Sequence, residues 1–129
     1  MRLPVEKRYG SILVRPARQT DFEQIGESVP YRTTAIAGED ETGEVIGLGG
    51  LVFLPDGRAY LFAKLLEVAK HEHAVVLHIV ATKFLKEVVR AGVKNVVARP
   101  DPSFKCVACE WMYRLGMRPT GFADTWELR

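Results

Sequence analysis

The chain has 129 residues, of which 47% are hydrophobic and 26% charged, and its formal net charge is +2. This size and composition are typical of one globular domain that folds without disulfides or a metal. The small net charge argues against a positive electrostatic field that would attract nucleic acid. Every apolar run is too short for a membrane span. We therefore expect one domain over residues 1–129, with no nucleic-acid and no membrane partner.

The N-terminal segment and the cysteines bear on the compartment. Residues 1–10 lack the apolar centre of a secretory signal. The two cysteines, Cys106 and Cys109, are too few for a disulfide framework. A C-x-x-C redox motif should open a helix, whereas this pair lies inside a predicted one. These features predict a cytoplasmic protein whose thiols are reduced.

The first half of the chain predicts strands and one short helix. Residues 1–10 mix charge with proline and glycine and predict an irregular lead-in, followed by a strand over 11–15 that Pro16 ends. Thr20 or Asp21 is expected to cap a short helix that buries Phe22, Ile25 and Val29. A meander of three strands is then predicted over residues 31–38, 45–54 and 59–66. The scattered basic residues near the N-terminus are expected on a solvated face; they are Lys7, Arg8, Arg15 and Arg18.

The second half predicts two helices that alternate with strands. Apolar residues recur at helical spacing over 73–91, and Gly92 ends that helix. A strand over 95–98 precedes a helix from Ser103 to Leu115, and residues 123–128 form the last strand. The predicted fold class is α/β (α+β), with a mixed sheet and the order β-α-β-β-β-α-β-α-β. The sequence leaves open whether the chain forms a homo-oligomer.

This order of elements resembles the GNAT superfamily of acyl-CoA N-acyltransferases. The segment ACEWMYRLG (108–116), followed by Met117, is similar to the motif in the last helix of that family. The segment GVKNVVARPD (92–101) is similar to the passage into its fifth strand. The resemblance implies an N-acetyltransferase that moves an acetyl group from acetyl-CoA to an amine of a small molecule or a protein.

The resemblance also implies a set of site residues. The third strand of the meander would hold the pantetheine arm, amides at the start of the long helix would face the pyrophosphate, and a lysine in the last helix would contact a coenzyme phosphate. Two further side chains would carry the proton transfers, a carboxylate that accepts a proton from the amine and a tyrosine that acts as general acid. The cofactor-binding residues are Ala63, Lys64, Leu65, His73, Ala74, Val75 and Lys105, and the catalytic residues are Glu67 and Tyr113.

Two positions depart from the family pattern. The expected phosphate loop falls within KHEHAVVL (70–77), which contains no glycine to let phosphates approach the backbone. Met112 stands where many members carry the tyrosine that acts as general acid, and Tyr113 is the next residue. These departures motivate an alternative, a catalytically inactive GNAT-fold protein with a binding or structural role, such as a component associated with a phage virion. A third interpretation is a small-ligand sensor that uses the same cleft.

Two other patterns favour structural explanations. His71, His73 and His78 with Glu72 are metal-ligand types, but their spacing does not keep them on one face, and no metal site is expected. The GLGG segment (47–50) resembles part of a phosphate loop, yet it lies inside a predicted strand. There, close backbone packing or a bulge is the expected role of its glycines.

Overall fold

The computed structural model describes residues 6–26, 32–66, 72–100, 105–122 and 124–128, with the backbone alone for residues 105–108. One mixed sheet has eight strands: β1 (Lys7–Tyr9), β2 (Ile12–Pro16), β3 (Thr33–Glu39), β4 (Val45–Phe53), β5 (Ala59–Leu65), β6 (Val96–Ala98), β7 (Met117–Pro119) and β8 (Trp126–Leu128). The described residues form three helices: α1 (Gln19–Gln24), α2 (Ala74–Arg90) and α3 (Lys105–Arg114). None of these helices is long and apolar enough to cross a membrane.

The strands lie in the order β1-β2-β3-β4-β5-β6-β8-β7, and among these described strands β5 and β6 are the only neighbouring pair that runs parallel. The mixed α+β class is therefore confirmed, and the meander and the long helix lie where the sequence predicts them. A parallel pair needs a crossover, which α2 supplies between β5 and β6. Gly92 ends α2 in a left-handed conformation (φ 77°) that a side chain would strain.

Two predictions about strands were wrong. The lead-in contains β1, which pairs with β2 through a tight turn at Gly10. The C-terminal region forms two strands, β7 and β8, where one strand over 123–128 was expected. β1, β7 and β8 have only three residues each. Pairing with neighbouring strands stabilises them, and such short segments show no sequence periodicity.

The start of α1 also differs from the prediction. Arg18 is the N-cap, so Thr20 and Asp21 lie within the first turn. The Asp21 carboxylate accepts a hydrogen bond from the Arg18 backbone N–H at 2.6 Å, which satisfies one of the open donors of the first turn. Phe22 is buried as expected, and Val29 lies outside the described residues.

Arg15 is buried rather than solvated, which corrects the expectation for the N-terminal basic residues. It is 5% exposed, and its guanidinium donates two hydrogen bonds to Asp21, at 2.7 and 2.9 Å. Its Nε donates a third, to Glu39 at 3.0 Å. This bidentate pairing compensates the burial of both charges and holds the pKa of Asp21 below its usual range.

The helices cover the two faces of the sheet. On one face α2 packs Phe84 and Val88 against the central strands, and α3 packs Met112 against the neighbouring end of the sheet. On the other face α1 packs Phe22 against β3 and β4. The GLGG segment lies in the middle of β4, where a Cβ at Gly50 would collide with the backbone of β3 at Ala35. This confirms close packing as the role of that glycine.

Candidate functional site

Strands β5 and β6 separate after a short paired stretch. They pair at two positions, Ala59 with Val96 and Tyr60 with Val97. Continuing the same register would place Pro100 opposite Ala63, and proline has no N–H to donate to the ladder. The two strands therefore diverge, and a gap opens beside the last residues of β5.

The backbone of β5 presents polar groups to this gap. The Ala59 N–H donates to the Asn95 carbonyl on the β6 side at 3.1 Å, whereas the Leu66 N–H donates to Ile46 on the β4 side at 2.9 Å. Because successive residues of a strand direct their backbone groups to opposite edges, Ala63 and Leu65 direct theirs toward the β6 side. β6 ends at Ala98, so among the described strands none pairs with these groups, which face the gap.

A cavity of about 1090 Å³ occupies the gap and continues beneath α2 and α3. Its volume slightly exceeds that of typical small-molecule sites, which span roughly 300 to 1,000 Å³. Most of its lining is apolar. The apolar residues that α2 and α3 contribute are Val76, Leu77, Val80, Ala81, Phe84, Leu85, Trp111, Met112 and Leu115.

The basic residues of the lining belong to three chain segments that lie at one edge of the sheet. The basic side chains that line the cavity in the described ranges are Lys64, His73 and Arg99, and no carboxylate from those ranges joins them. They lie near the carboxyl end of β5, just before α2 and just after β6. These three places meet at one edge of the sheet, where ligands bind in many α/β proteins. This set of residues, named here the basic edge, favours an anionic group.

The start of α2 adds to the basic edge. His73 is the N-cap, and its carbonyl accepts the first helical hydrogen bond, from Leu77 at 2.9 Å. The backbone N–H groups of the first turn have no partner within the helix, and the positive end of the helix dipole lies there. Ala74 and Val75 begin the helix with exposed side chains, and that of Val75 is 75% exposed.

The predicted site residues are brought together in part. Ala63, Lys64, Leu65 and His73 line the cavity. Ala74 and Val75 begin α2 and are not in the lining. Lys105 begins α3, but its side chain is not described, and Glu67 lies outside the described residues. Four of the nine predicted site residues thus line one cavity in the described part of the chain.

Tyr113 lies apart from this assembly. It is 57% exposed, it is not in the lining of the cavity, and the Arg118 guanidinium lies 3.9 Å from the centre of its ring. Its neighbour Met112 is 8% exposed and forms part of the cavity wall. A helix turns by about 100° per residue, so one of the two faces the sheet and the other faces solvent. This position of Tyr113 does not support the predicted role as general acid.

The histidines do not converge on a shared site. Among the described residues no group of three potential metal ligands forms. His73 lies 4.0 Å from Glu72, whereas His78 accepts a hydrogen bond from the indole of Trp111 at 3.2 Å. His71 lies outside the described residues.

Sequence reasoning missed Tyr60, Arg99 and Trp111 as lining residues. Arg99 had a detectable signal, because it directly follows a short buried strand in a fold where such positions reach the binding edge. Tyr60 and Trp111 had none, since their place in the lining depends on where β5 separates from β6 and on how α3 meets α2.

Comparison with solved structures gives the fold. An acetyltransferase from Agrobacterium tumefaciens superimposes with a TM-score of 0.68 at 17% identity, over 100% of this chain and 96% of that one. A GCN5-related N-acetyltransferase from Kribbella flavida matches with a TM-score of 0.63 at 14% identity, over 91% and 94% of the two chains. A candidate streptothricin acetyltransferase from Bacillus anthracis, solved in complex with acetyl coenzyme A, matches with a TM-score of 0.64 at 12% identity, over 93% and 99%.

The sequence itself matches no family model and no curated protein. The structural matches nevertheless cover nearly the whole length of both chains in each pair. Similarity over this length shows a shared overall fold. The chain has the fold of the GNAT acetyltransferases.

Proposed function

We propose that the protein is an acyl-CoA-dependent N-acyltransferase, with acetyl-CoA as the simplest donor and an amine as the acceptor. The observation that carries this proposal is the open edge of β5, where Ala63 and Leu65 turn backbone groups toward a gap bordered by the basic edge. A thioester donor of this class combines an arm of amide groups with phosphates, and these two parts match the two features of the gap.

Each part of the donor has a partner in the gap. The amides of the pantetheine arm would pair with Ala63 and Leu65, as an added strand pairs with a sheet edge. The phosphates would lie at the start of α2, against the amides of Ala74 and Val75 and beside His73. Lys64 and Arg99 place positive charge at the same edge. We include Lys105 in this set on the resemblance to the family.

The chemistry requires few groups from the protein. The amine nitrogen attacks the thioester carbonyl, the new C–N bond forms, the C–S bond breaks and sulfur leaves as a thiolate that takes up a proton. We propose Glu67 as the acceptor of the proton that the amine loses, directly or through water. Met112 offers no proton where a tyrosine hydroxyl is expected, so water in the open gap would protonate the thiolate.

Ligand-dependent stabilisation tests the proposal at the level of binding. A ligand present at ten times its dissociation constant should raise the free energy of unfolding by about 1.4 kcal/mol. Thermal unfolding with coenzyme A and with acetyl-CoA, each up to millimolar concentration, should show this increase. Arg99→Glu should reduce it strongly, and Arg58→Glu, which changes an exposed arginine in the turn before β5, serves as the control for charge. The absence of any stabilisation by either ligand would overturn the proposal.

A second candidate is a GNAT-fold protein that binds without catalysis, including the virion-associated role considered above. The start of α2 favours it, because residues 70–77 contain no glycine that would let phosphates approach closely, and β-branched Val75 is exposed in the first turn. Met112 in the cavity wall adds support. Release of free thiol from acetyl-CoA in the presence of a panel of amines distinguishes the two candidates. Turnover that Glu67→Gln abolishes supports the enzyme, and binding without turnover supports the second candidate.

A further inference from the structure

The cavity is polar at one end and apolar along the rest of its length. The basic edge lies at the start of α2, and the α2 residues that line the cavity continue from there to Leu85. Twelve residues of helix separate His73 from Leu85, which corresponds to a length on the order of 18 Å. The pantetheine arm of the donor takes up part of this length, and the cavity volume of about 1090 Å³ leaves room beyond that arm and one acetyl group.

The inner wall offers little for a polar ligand. Phe84, Leu85 and Met112 are buried apolar residues of this wall. The indole N–H of Trp111 is already donated to His78, so that ring contributes apolar surface to the cavity. A polar substrate amine placed here would lose its hydrogen bonds to water without gaining replacements, which costs free energy. An aliphatic chain would gain free energy in the same place.

We infer that the donor carries an acyl chain of several carbons, which lies along α2 in the apolar part of the cavity while the anionic part of the donor lies at the basic edge. This inference rests on the proposed function, because it assigns the acyl group of the same donor. One occupant explains both ends of the cavity, since an acyl-CoA is anionic at one end and apolar at the other. Acetyl-CoA then becomes a weaker ligand than its longer homologues.

Chain length is the variable that tests the inference. Dissociation constants are measured by titration calorimetry for coenzyme A, acetyl-CoA, butyryl-CoA and octanoyl-CoA, all below their micelle concentrations. Each methylene that enters the apolar part should tighten binding by up to roughly fourfold. We expect octanoyl-CoA to bind at least tenfold more tightly than acetyl-CoA. Equal affinities for the acetyl and octanoyl donors would overturn the inference and leave the proposed function standing.

A matched pair of variants on α2 locates the chain. Ala81→Phe fills part of the cavity, whereas Val89→Phe adds the same ring at an exposed position outside the described lining of the cavity. Ala81→Phe should weaken octanoyl-CoA at least fivefold and leave coenzyme A unchanged, and Val89→Phe should change neither. Circular dichroism establishes that both variants fold, and Ala81→Leu replaces Ala81→Phe if the latter does not.

The outcomes separate the two claims. Loss of octanoyl affinity in Val89→Phe as well, or in neither variant, would place the chain elsewhere and overturn the inference. Failure of every ligand, coenzyme A included, to bind the unmodified protein would overturn the proposed function and with it the inference.

Discussion

The indole N–H of Trp111 donates a hydrogen bond to Nδ1 of His78 at 3.2 Å and thereby connects α3 to α2. Both residues are half-buried, and Trp111 also lines the cavity. The bond therefore joins the two helices that cover the apolar part of the cavity.

Removing this donor should destabilise the protein by a measurable amount. Trp111→Phe keeps an aromatic ring but loses the hydrogen bond, and we expect the free energy of unfolding to fall by about 1 kcal/mol from that bond, with a further loss from the smaller ring. Urea denaturation of Trp111→Phe, His78→Ala and the double variant gives the coupling energy between them. A coupling energy near zero, with the two effects simply additive, would show that the bond contributes nothing to stability.

Gly50 and its neighbour Gly49 form a matched pair in β4. A Cβ at Gly50 would touch the Thr34 carbonyl oxygen and lie 2.6 Å from the Cα of Ala35, whereas a Cβ at Gly49 would lie 3.5 Å from the Phe62 carbonyl oxygen. The first contact forces backbone of β3 to move, and the second is ordinary van der Waals contact. Gly50→Ala should therefore lower the free energy of unfolding by about 1 to 3 kcal/mol or more.

Gly49→Ala should change that free energy by much less than Gly50→Ala, because β4 has room for the methyl group there. Thermal or urea denaturation of the two variants measures the difference. Equal stabilities for the two variants would show that β3 and β4 adjust freely and that the close approach is not what requires glycine.

The sequence predicts regular, strongly patterned elements well and short ones poorly. α2 was predictable because its apolar residues recur over seventeen residues and Gly92 ends it. β1 and β7 were not, since three residues show no periodicity and their strand character comes from their ladder partners. Arg15 was misplaced for a related reason, because only the folded chain brings Asp21 and Glu39 to its guanidinium.

The candidate site was predictable where it follows from backbone geometry. The resemblance placed Ala63 to Leu65 and the start of α2 in the cleft, and the structure puts their backbones beside one gap. Side-chain direction was less predictable, as Met112 and Tyr113 show. These neighbours differ by one residue in helix register, and Met112 lies in the cavity wall while Tyr113 faces solvent. Arg99 directly follows the short strand β6, and that position was its signal in the sequence.

The buried pair of Arg15 and Asp21 predicts both a stability loss and its pH dependence. Asp21→Asn leaves a buried guanidinium without its bidentate partner, and such losses cost about 3 to 5 kcal/mol. Arg15 lowers the pKa of Asp21 in the folded protein below the unfolded value of about 3.9. The contribution of Asp21 to stability is therefore complete above that unfolded value and is lost as the pH falls through the folded value.

Urea denaturation at several pH values tests this prediction. The difference between the unmodified protein and Asp21→Asn should be largest near neutral pH and should shrink below about pH 4. Arg15→Met combined with Asp21→Leu should be less destabilising than Asp21→Asn, because no buried charge then lacks its partner. A difference that stays constant down to pH 2 would show that the charge of Asp21 is not the cause.

The open edge of β5 predicts different effects of proline at two neighbouring positions, because one backbone N–H pairs with β4 and the next one faces the gap. The Lys64 N–H points toward β4, where proline would remove a ladder hydrogen bond, whereas the Ala63 N–H points toward the gap. Ala63→Pro should therefore keep more of the folding stability than Lys64→Pro in thermal denaturation. Ala63→Pro should also weaken coenzyme A binding about five- to tenfold, because it removes one neutral hydrogen bond to the ligand. Lys64→Ala controls for the loss of the lysine side chain in the Lys64→Pro variant. Stability losses of the same size in both proline variants would show that Ala63 also donates to a strand and that the edge of β5 is closed.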